Sequence, residues 1–450
     1  MAARTTDEGK PVRERWLSDR QGTGRLRPLF APVAVILVVL GLGTGCSASG
    51  GSLRVVWEAP TDSNARDYGN GDWLVGDTLV RSRYDAITAF DAGTGKRRWE
   101  YVPPKQEHVC AVSRRAAGSV VLIARGSLGP GGAGCGTVAA FDLTNGRELW
   151  HTQRTPADQT ESLTDLVAVG GGLAVLRDGD DNWWLETFPP TVPGTEALRA
   201  FDLRTGAPRW KAAVPEGCVP ERVAVGDRQV VAVLSCGRTE LRLAAFDPAD
   251  GGQRWTVSLG GRPVPGTDAQ VALLSTEPLV VQVGGTTEGL PGAYLAFGED
   301  GTARGRIDTT GDHGTIVSHD PALVTMADGR LYVAAEGKHR KEYVDRLVAF
   351  DLTNGTEVWR YNLPVVKTLL AFDATGGRVT LLADRGRRQD GVEELLVLDA
   401  ATGDERENLD TGIDVAHEGG ELADLLTHED LVIAVRWGWG VRPFSAYERG

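Results

Sequence analysis

The stretch AFDLTNGRELW at residues 140–150 returns as AFDLTNGTEVW at residues 349–359, with nine of eleven letters kept. No other feature constrains the fold of this chain as much. Related segments stand at 88–99 (TAFDAGTGKRRW), 199–210 (RAFDLRTGAPRW) and 244–255 (AAFDPADGGQRW). Weaker copies stand at 295–306 and 396–407, where Arg306 and Glu407 replace the tryptophan, and SAYERG closes the chain. Marked by Phe90, Phe141, Phe201, Phe246, Phe297, Phe350, Leu398 and Tyr447, the eight copies lie 51, 60, 45, 51, 53, 48 and 49 residues apart. A period near 50 is that of β-propeller blades rather than of helical repeats.

Each interval reads as four strands. After the tryptophan, two apolar segments are punctuated by Gly-Asp or Gly-Gly, as in VAVGDRQVVAV. The motif then supplies a third strand through its Ala-Phe, alternating with polar neighbours, and a turn through DLTNG or DAGTG. In that turn glycine provides a positive φ, and aspartate can accept from backbone N–H groups. The fourth strand carries the tryptophan, whose ring can fill the gap between blades while its indole N–H finds a backbone acceptor. The folded part opens with LRVVWEAP at 53–60, a tryptophan strand without a preceding motif, and it ends on a motif without a tryptophan strand. Trp57 is therefore expected in the outer strand of the last blade, closing the ring and hiding its edges. The expectation is an all-β, eight-bladed β-propeller over residues 53–450, closed by an N-terminal strand.

These motifs resemble the tryptophan-docking repeat of quinoprotein-type, PQQ-like propellers, roughly Ala-x-Asp-x-x-Thr-Gly-x-x-x-Trp. The resemblance spans essentially all of residues 53–450. It implies structural, blade-docking roles for Trp57, Trp99, Trp150, Trp210, Trp255 and Trp359, and for motif residues such as Asp91, Gly95, Asp142 and Gly146. The family includes quinone-dependent alcohol dehydrogenases. It also includes non-enzymatic members, among them the lipoprotein of outer-membrane β-barrel assembly and extracellular sensor propellers. The catalytic members carry an adjacent cysteine pair over the quinone, with calcium held by Glu, Asn and Asp. This chain has no adjacent cysteines, so the resemblance implies a non-catalytic member without a cofactor. A quinone (PQQ)-dependent dehydrogenase is the alternative. A propeller hydrolase would need two channel-facing carboxylates at catalytic separation, and sequence alone does not place such a pair.

The first 45 residues are different material. A basic segment (1–28), with Arg13, Arg15, Arg20, Arg25 and Arg27, precedes an apolar run at 29–45 and a short linker at 46–52. The run is 17 residues long, near the lower limit for crossing the ~30 Å hydrocarbon core. Positive residues before it place that side in the cytoplasm and the remainder outside, at the cell membrane. The ending LGTGCSASGGS resembles a bacterial lipoprotein signal with Cys46 as the lipidation candidate. It departs from the pattern at Gly43, and an uncleaved anchor helix is the alternative. Of the five cysteines, Cys110, Cys135, Cys218 and Cys236 remain to pair, and pairing within each blade closes the shortest loops. Both pairs would bracket the first two strands of a blade.

The chain carries a net charge of −13, and its N-terminal 45 residues are net basic. An acidic body excludes nucleic acid as partner, because phosphate contacts need clustered Lys and Arg. The partner expected is another envelope protein or envelope component, bound by a monomeric propeller. The seven histidines show no metal-ligand spacing; His313 and His319 read as loop histidines, and the glycine-rich stretch at 126–134 reads as a loop. The longest interval contains RDGDDNWWLETFPPTVPGTE at 177–196. Asp178, Asp180 and Asn182 have the alternate spacing of a calcium loop without its glycine or bidentate glutamate, so they read as a solvated acidic loop. Trp183, Trp184 and Phe188, set among prolines on a loop, are the partner-binding candidates.

Overall fold

The computed structural model describes residues 53–61, 69–104, 107–127, 134–158, 165–178, 197–237, 240–261, 271–284, 292–317, 320–337, 343–364, 367–384, 393–410, 422–438 and 440–449. They belong to one compact unit built from eight antiparallel sheets. Blade 1 contains the strands Gly69–Val75, Thr78–Arg83, Ile87–Asp91 and Arg97–Tyr101. Blades 2 to 7 follow at 108–158, 167–212, 218–261, 272–308, 310–362 and 368–410. Blade 8 takes Leu422–His428, Leu431–Arg436 and Phe444–Arg449 from the end of the chain and Leu53–Glu58 from its start. Trp57 pairs with Ala446 across that junction. The N-terminal strand thus closes the ring, and the ring has no free edge at the join.

Burial follows position in the blade. The innermost strands alternate between buried and half-exposed residues, as in Gly69–Val75. The second strands are buried on both faces; Val230–Cys236 is buried throughout, which is why these segments read as continuous apolar runs. The third strands are also buried on both faces: Ala139, Ala140 and Phe141 are inaccessible. The alternation with polar neighbours expected there does not hold, because blades pack on both sides. The outer strands carry the exposed residues.

One blade departs from four strands. In blade 6 a short hairpin, Thr310–Gly311 with Gly314–Ile316, joins the far end of the second strand. A 3-10 turn at Pro321–Leu323 leads into the innermost strand Val324–Ala327, which pairs with the rest. Among the described residues no helix is long and apolar enough to cross a membrane. The expected membrane segment 29–45 and Cys46 lie outside the described residues.

The repeated tryptophan, glycine and alanine have packing roles. Six indoles donate to the carbonyl of the residue after the motif aspartate (or after Gly298, which replaces it) in the next blade. Trp57 reaches Ala92, Trp99 Leu143, Trp150 Leu203, Trp210 Pro248, Trp255 Glu299 and Trp359 Ala400, at 2.6–3.1 Å. Each ring also lies flat on the motif glycine of that next blade. A Cβ built on Gly95, Gly146, Gly206, Gly251, Gly301 or Gly403 would stand 2.4–2.7 Å from the tryptophan ring, and all six glycines have φ between +68° and +77°. Opposite each tryptophan on the third strand stands an alanine: Ala89, Ala140, Ala200, Ala245, Ala349 and Ala446. Cross-strand neighbours sit only about 5 Å apart, so a small residue leaves room for the indole. Where the tryptophan is missing, the small partner is missing as well: Leu295 faces Arg306 and Val397 faces Glu407.

Candidate functional site: the central channel

The innermost strands of the eight blades line the centre of the ring, and their half-exposed side chains set its chemistry. Two sides of opposite charge emerge. On blades 7, 8 and 1 stand Asp373, Asp424 and Asp72. Burial pushes the Asp72 carboxyl up to about 6, although the Trp437 indole N–H donates to its Oδ1 at 2.9 Å and Arg81 lies near. Asp424 is raised well above the usual carboxylate range by burial and by the charges of Asp72 and Asp373. Asp373 is raised by burial, against the hydroxyl of Thr375. Arg81 itself is buried, and its Nη2 donates to the carbonyls of Trp437 and Gly438.

On blades 2 to 5 the channel wall forms a small open recess. Arg114 and Arg115 enter it from blade 2, Asp165 from blade 3, and Ser275 and Thr276 from blade 5. Arg114 Nε donates to Asp165 Oδ1 at 2.6 Å. Arg115 reaches the Leu274 carbonyl at 3.3 Å, so its side chain runs from blade 2 to blade 5. Burial, together with the charge of Arg114, lowers the Arg115 pKa.

The face carrying the motif turns has its own chemistry. Asp202 accepts from the Thr205 N–H and hydroxyl and from Arg209, and these hold its carboxyl down at about 2. The same pair, an aspartate and an arginine seven residues on, recurs as Asp91–Arg98, Asp247–Arg254 and Asp399–Arg406. The arginine precedes the tryptophan position and falls on a β-bulge between the third and fourth strands. The bulge re-aims it from the sheet toward the turn. On this face Asp77, His428 and Glu429 bring one ligand atom each within 4.8 Å of one another, at the junction of blades 1 and 8. These three could hold a divalent ion. Spacing in sequence did not reveal them, because they come from opposite ends of the chain.

The sequence candidates divide between the described and undescribed residues. Cys110–Cys135 and Cys218–Cys236 are disulfides, as the within-blade pairing expects. One detail is corrected: Cys135 lies at the start of the third strand of blade 2, so that bridge crosses from the first strand to the third. Gly126 on the strand between them has no room for a Cβ, which would meet the Gly134 carbonyl oxygen at 1.8 Å. Asp178 is held in a two-point pair by Arg199, at 2.5 and 2.9 Å. Its carboxylate is therefore committed to the base of the long loop rather than to a cation. His313 sits in the turn of the short blade 6 hairpin, as a loop histidine should, and is buried there, packed edge-on against Phe350. Trp183, Trp184, Phe188, Asp180, Asn182 and His319 lie outside the described residues. The channel carboxylates were missed because single polar residues inside apolar strands carry no local pattern; Arg114 and Arg115 lie in a bend after the first strand of blade 2, and no local pattern says which way that bend faces.

A family model described as outer membrane protein assembly factor BamB matches residues 49–217, 194–290 and 292–435. The chain belongs to this family. Its fold is that of the solved propellers. A computationally designed protein, Ika8, is 14% identical, covering 87% of this chain and 99% of its own, with a TM-score of 0.53. A europium-containing methanol dehydrogenase is 13% identical, covering 85% and 84%, with a TM-score of 0.50. BamB from Moraxella catarrhalis is 14% identical, covering 88% and 100%, with a TM-score of 0.48. Among curated proteins none matches significantly.

Proposed function

We propose that this BamB-like chain is a membrane-tethered, extracytoplasmic propeller that binds another envelope protein as a scaffold or sensor and performs no catalysis. The observation that carries the reading is the match of the BamB model along almost the whole propeller. The family's description names the kind of partner, a component of an envelope assembly. Two further features support it. The disulfides favour an oxidising compartment, and the basic segment and apolar run before the propeller give an export signal that leaves the C-terminal part outside. The residues most repeated in the chain are occupied in docking blades. That leaves the channel and the sequence segment 177–196, where the repeat is broken, as the parts free to vary for a partner.

The test is affinity capture of the full chain from membranes, read by mass spectrometry. An envelope protein should co-purify in stoichiometric amount, and Cys46 should carry either a lipid or an unbroken peptide bond to residue 45. Trp183→Ala with Trp184→Ala should abolish capture without moving the unfolding midpoint. Recovery from the cytosol alone would refute the reading. So would dye-linked alcohol oxidation after reconstitution with quinone and calcium, which would instead establish the dehydrogenase.

A further inference from the structure

The seam between blade 8 and blade 1 brings the two ends of the chain together, and three metal-ligating side chains meet on it. His428 ends the innermost strand of blade 8, and Glu429 opens the turn after it. Asp77 stands in the equivalent turn of blade 1, between Gly69–Val75 and Thr78–Arg83. The His428 side chain is only 12% exposed, so packing restrains its ring, and its Nε2 faces Asp77 Oδ1 at 3.6 Å. That separation is too long for a hydrogen bond. It suits two ligands of one ion, because ligand atoms about 2.1 Å from a tetrahedral zinc stand roughly 3.4 Å apart. Asp77 and Glu429 are exposed, so both carboxylates can rotate about the restrained imidazole.

The three groups have no other use. Among the described residues neither ring nitrogen of His428 takes part in a hydrogen bond, and no Lys or Arg pairs with Asp77 or Glu429. Arg98, which reaches Thr78 beside Asp77, is committed to Asp91. Motif-turn aspartates on the same face, such as Asp91 and Asp399, do have an arginine. At the seam two carboxylates converge on an imidazole with no cation of the protein's own to offset their charge. A bound divalent ion would be the largest charge there and would turn that repulsion into attraction.

We infer that Asp77, His428 and Glu429 form a zinc-type site that staples blade 8 to blade 1. The imidazole selects transition ions over calcium and magnesium, which take oxygen ligands. Three protein ligands leave the fourth position to water. Because the ligands come from two blades, the ion adds to the seam contacts already made by Trp57 to Ala92 and by Trp437 to Asp72. An ion held only by the closed ring stabilises that ring by mass action.

Calorimetric titration of the full chain with zinc chloride at pH 7, paired with thermal unfolding, tests the inference. Saturable binding of one ion is expected, with calcium at least tenfold weaker. Zinc should raise the unfolding midpoint by a few degrees, and a chelator should return it. His428→Gln and Asp77→Asn should each weaken zinc at least tenfold and abolish the rise. Asp77 is the deciding variant for the staple, since an ion held by blade 8 alone would not notice its loss. Glu429→Gln alters an exposed turn residue and should also weaken zinc, which keeps the test open if His428→Gln unfolds. No saturable zinc binding, calcium bound as tightly as zinc, or binding without a rise in the midpoint overturns the inference. So does zinc bound equally well by the Asp77 and Glu429 variants, which would place the ion at the Cys46 thiol or another histidine.

Discussion

Three residues make one contact in six of the eight blades: a tryptophan, the alanine opposite it and the glycine of the next turn. The glycine has two reasons to be glycine. Gly146 holds φ at +70°, and a Cβ there would stand 2.5 Å from the ring of Trp99. Left-handed backbone costs a side chain about 1–2 kcal/mol, and forcing atoms into a packed contact costs about 1–3 kcal/mol more. Gly146→Ala is therefore expected to destabilise the propeller by about 2–4 kcal/mol in denaturant unfolding. Removing Trp99 first should recover the packing share of that loss, so Gly146→Ala should cost less in a Trp99→Ala background than alone. Additive effects would show that the ring and the glycine do not touch. Conserving the ring but not its N–H, as in Trp150→Phe, removes the bond to Leu203 and should cost about 1 kcal/mol plus the lost area.

At the scale of elements, closure depends on six residues from the far end of the chain. Leu53–Glu58 pairs with Phe444–Arg449 and places the Trp57 indole on Ala92 of blade 1. Deleting 53–58 leaves the third strand of blade 8 with an open edge and blade 1 without its docking ring. A lower unfolding midpoint together with concentration-dependent aggregation is the expected result; an unchanged midpoint would mean the ring does not need this strand. The disulfides close loops of 25 and 18 residues and should contribute about 3 kcal/mol each, so reduction should lower the midpoint further. Strand order, blade number and this closure were legible because each rests on a local signal repeated eight times. The extra hairpin of blade 6 was not legible, since Gly314–Ile316 is held by pairing with Glu336 and Ala335, and Thr310–Gly311 by pairing with Gly314–Ile316, rather than by any pattern of their own.

The whole molecule sets two groups of carboxylates against each other. Turn aspartates such as Asp202, held at about 2, add stability that is present above the ordinary carboxylate range near pH 4 and is lost as pH falls toward 2. Asp72, raised to about 6, acts in the other direction: the folded state binds its proton more tightly, so stability falls as pH rises from about 4 to 6. Taken together, the contributions of these two groups are greatest on the acid side of neutrality. Asp72→Asn keeps an acceptor for the Trp437 indole and removes the ionisation. Its unfolding midpoint relative to the unaltered chain should rise between pH 4 and pH 7; a constant difference across that range would show that Asp72 ionises normally.

What the sequence determined alone is the ring: eight blades, the motif turns, the tryptophans that join neighbours and the two disulfides. A propeller repeats one local solution, and each repetition adds an independent reading of the same letters. What only the tertiary structure decided is the channel. Asp72 and Asp424 are 352 residues apart, and Arg115 and Leu274 come from blades 2 and 5. Their electrostatics arise from convergence at the centre of the ring, where burial and neighbouring charge act across blades. No stretch of sequence short enough to carry a motif contains both members of such a pair.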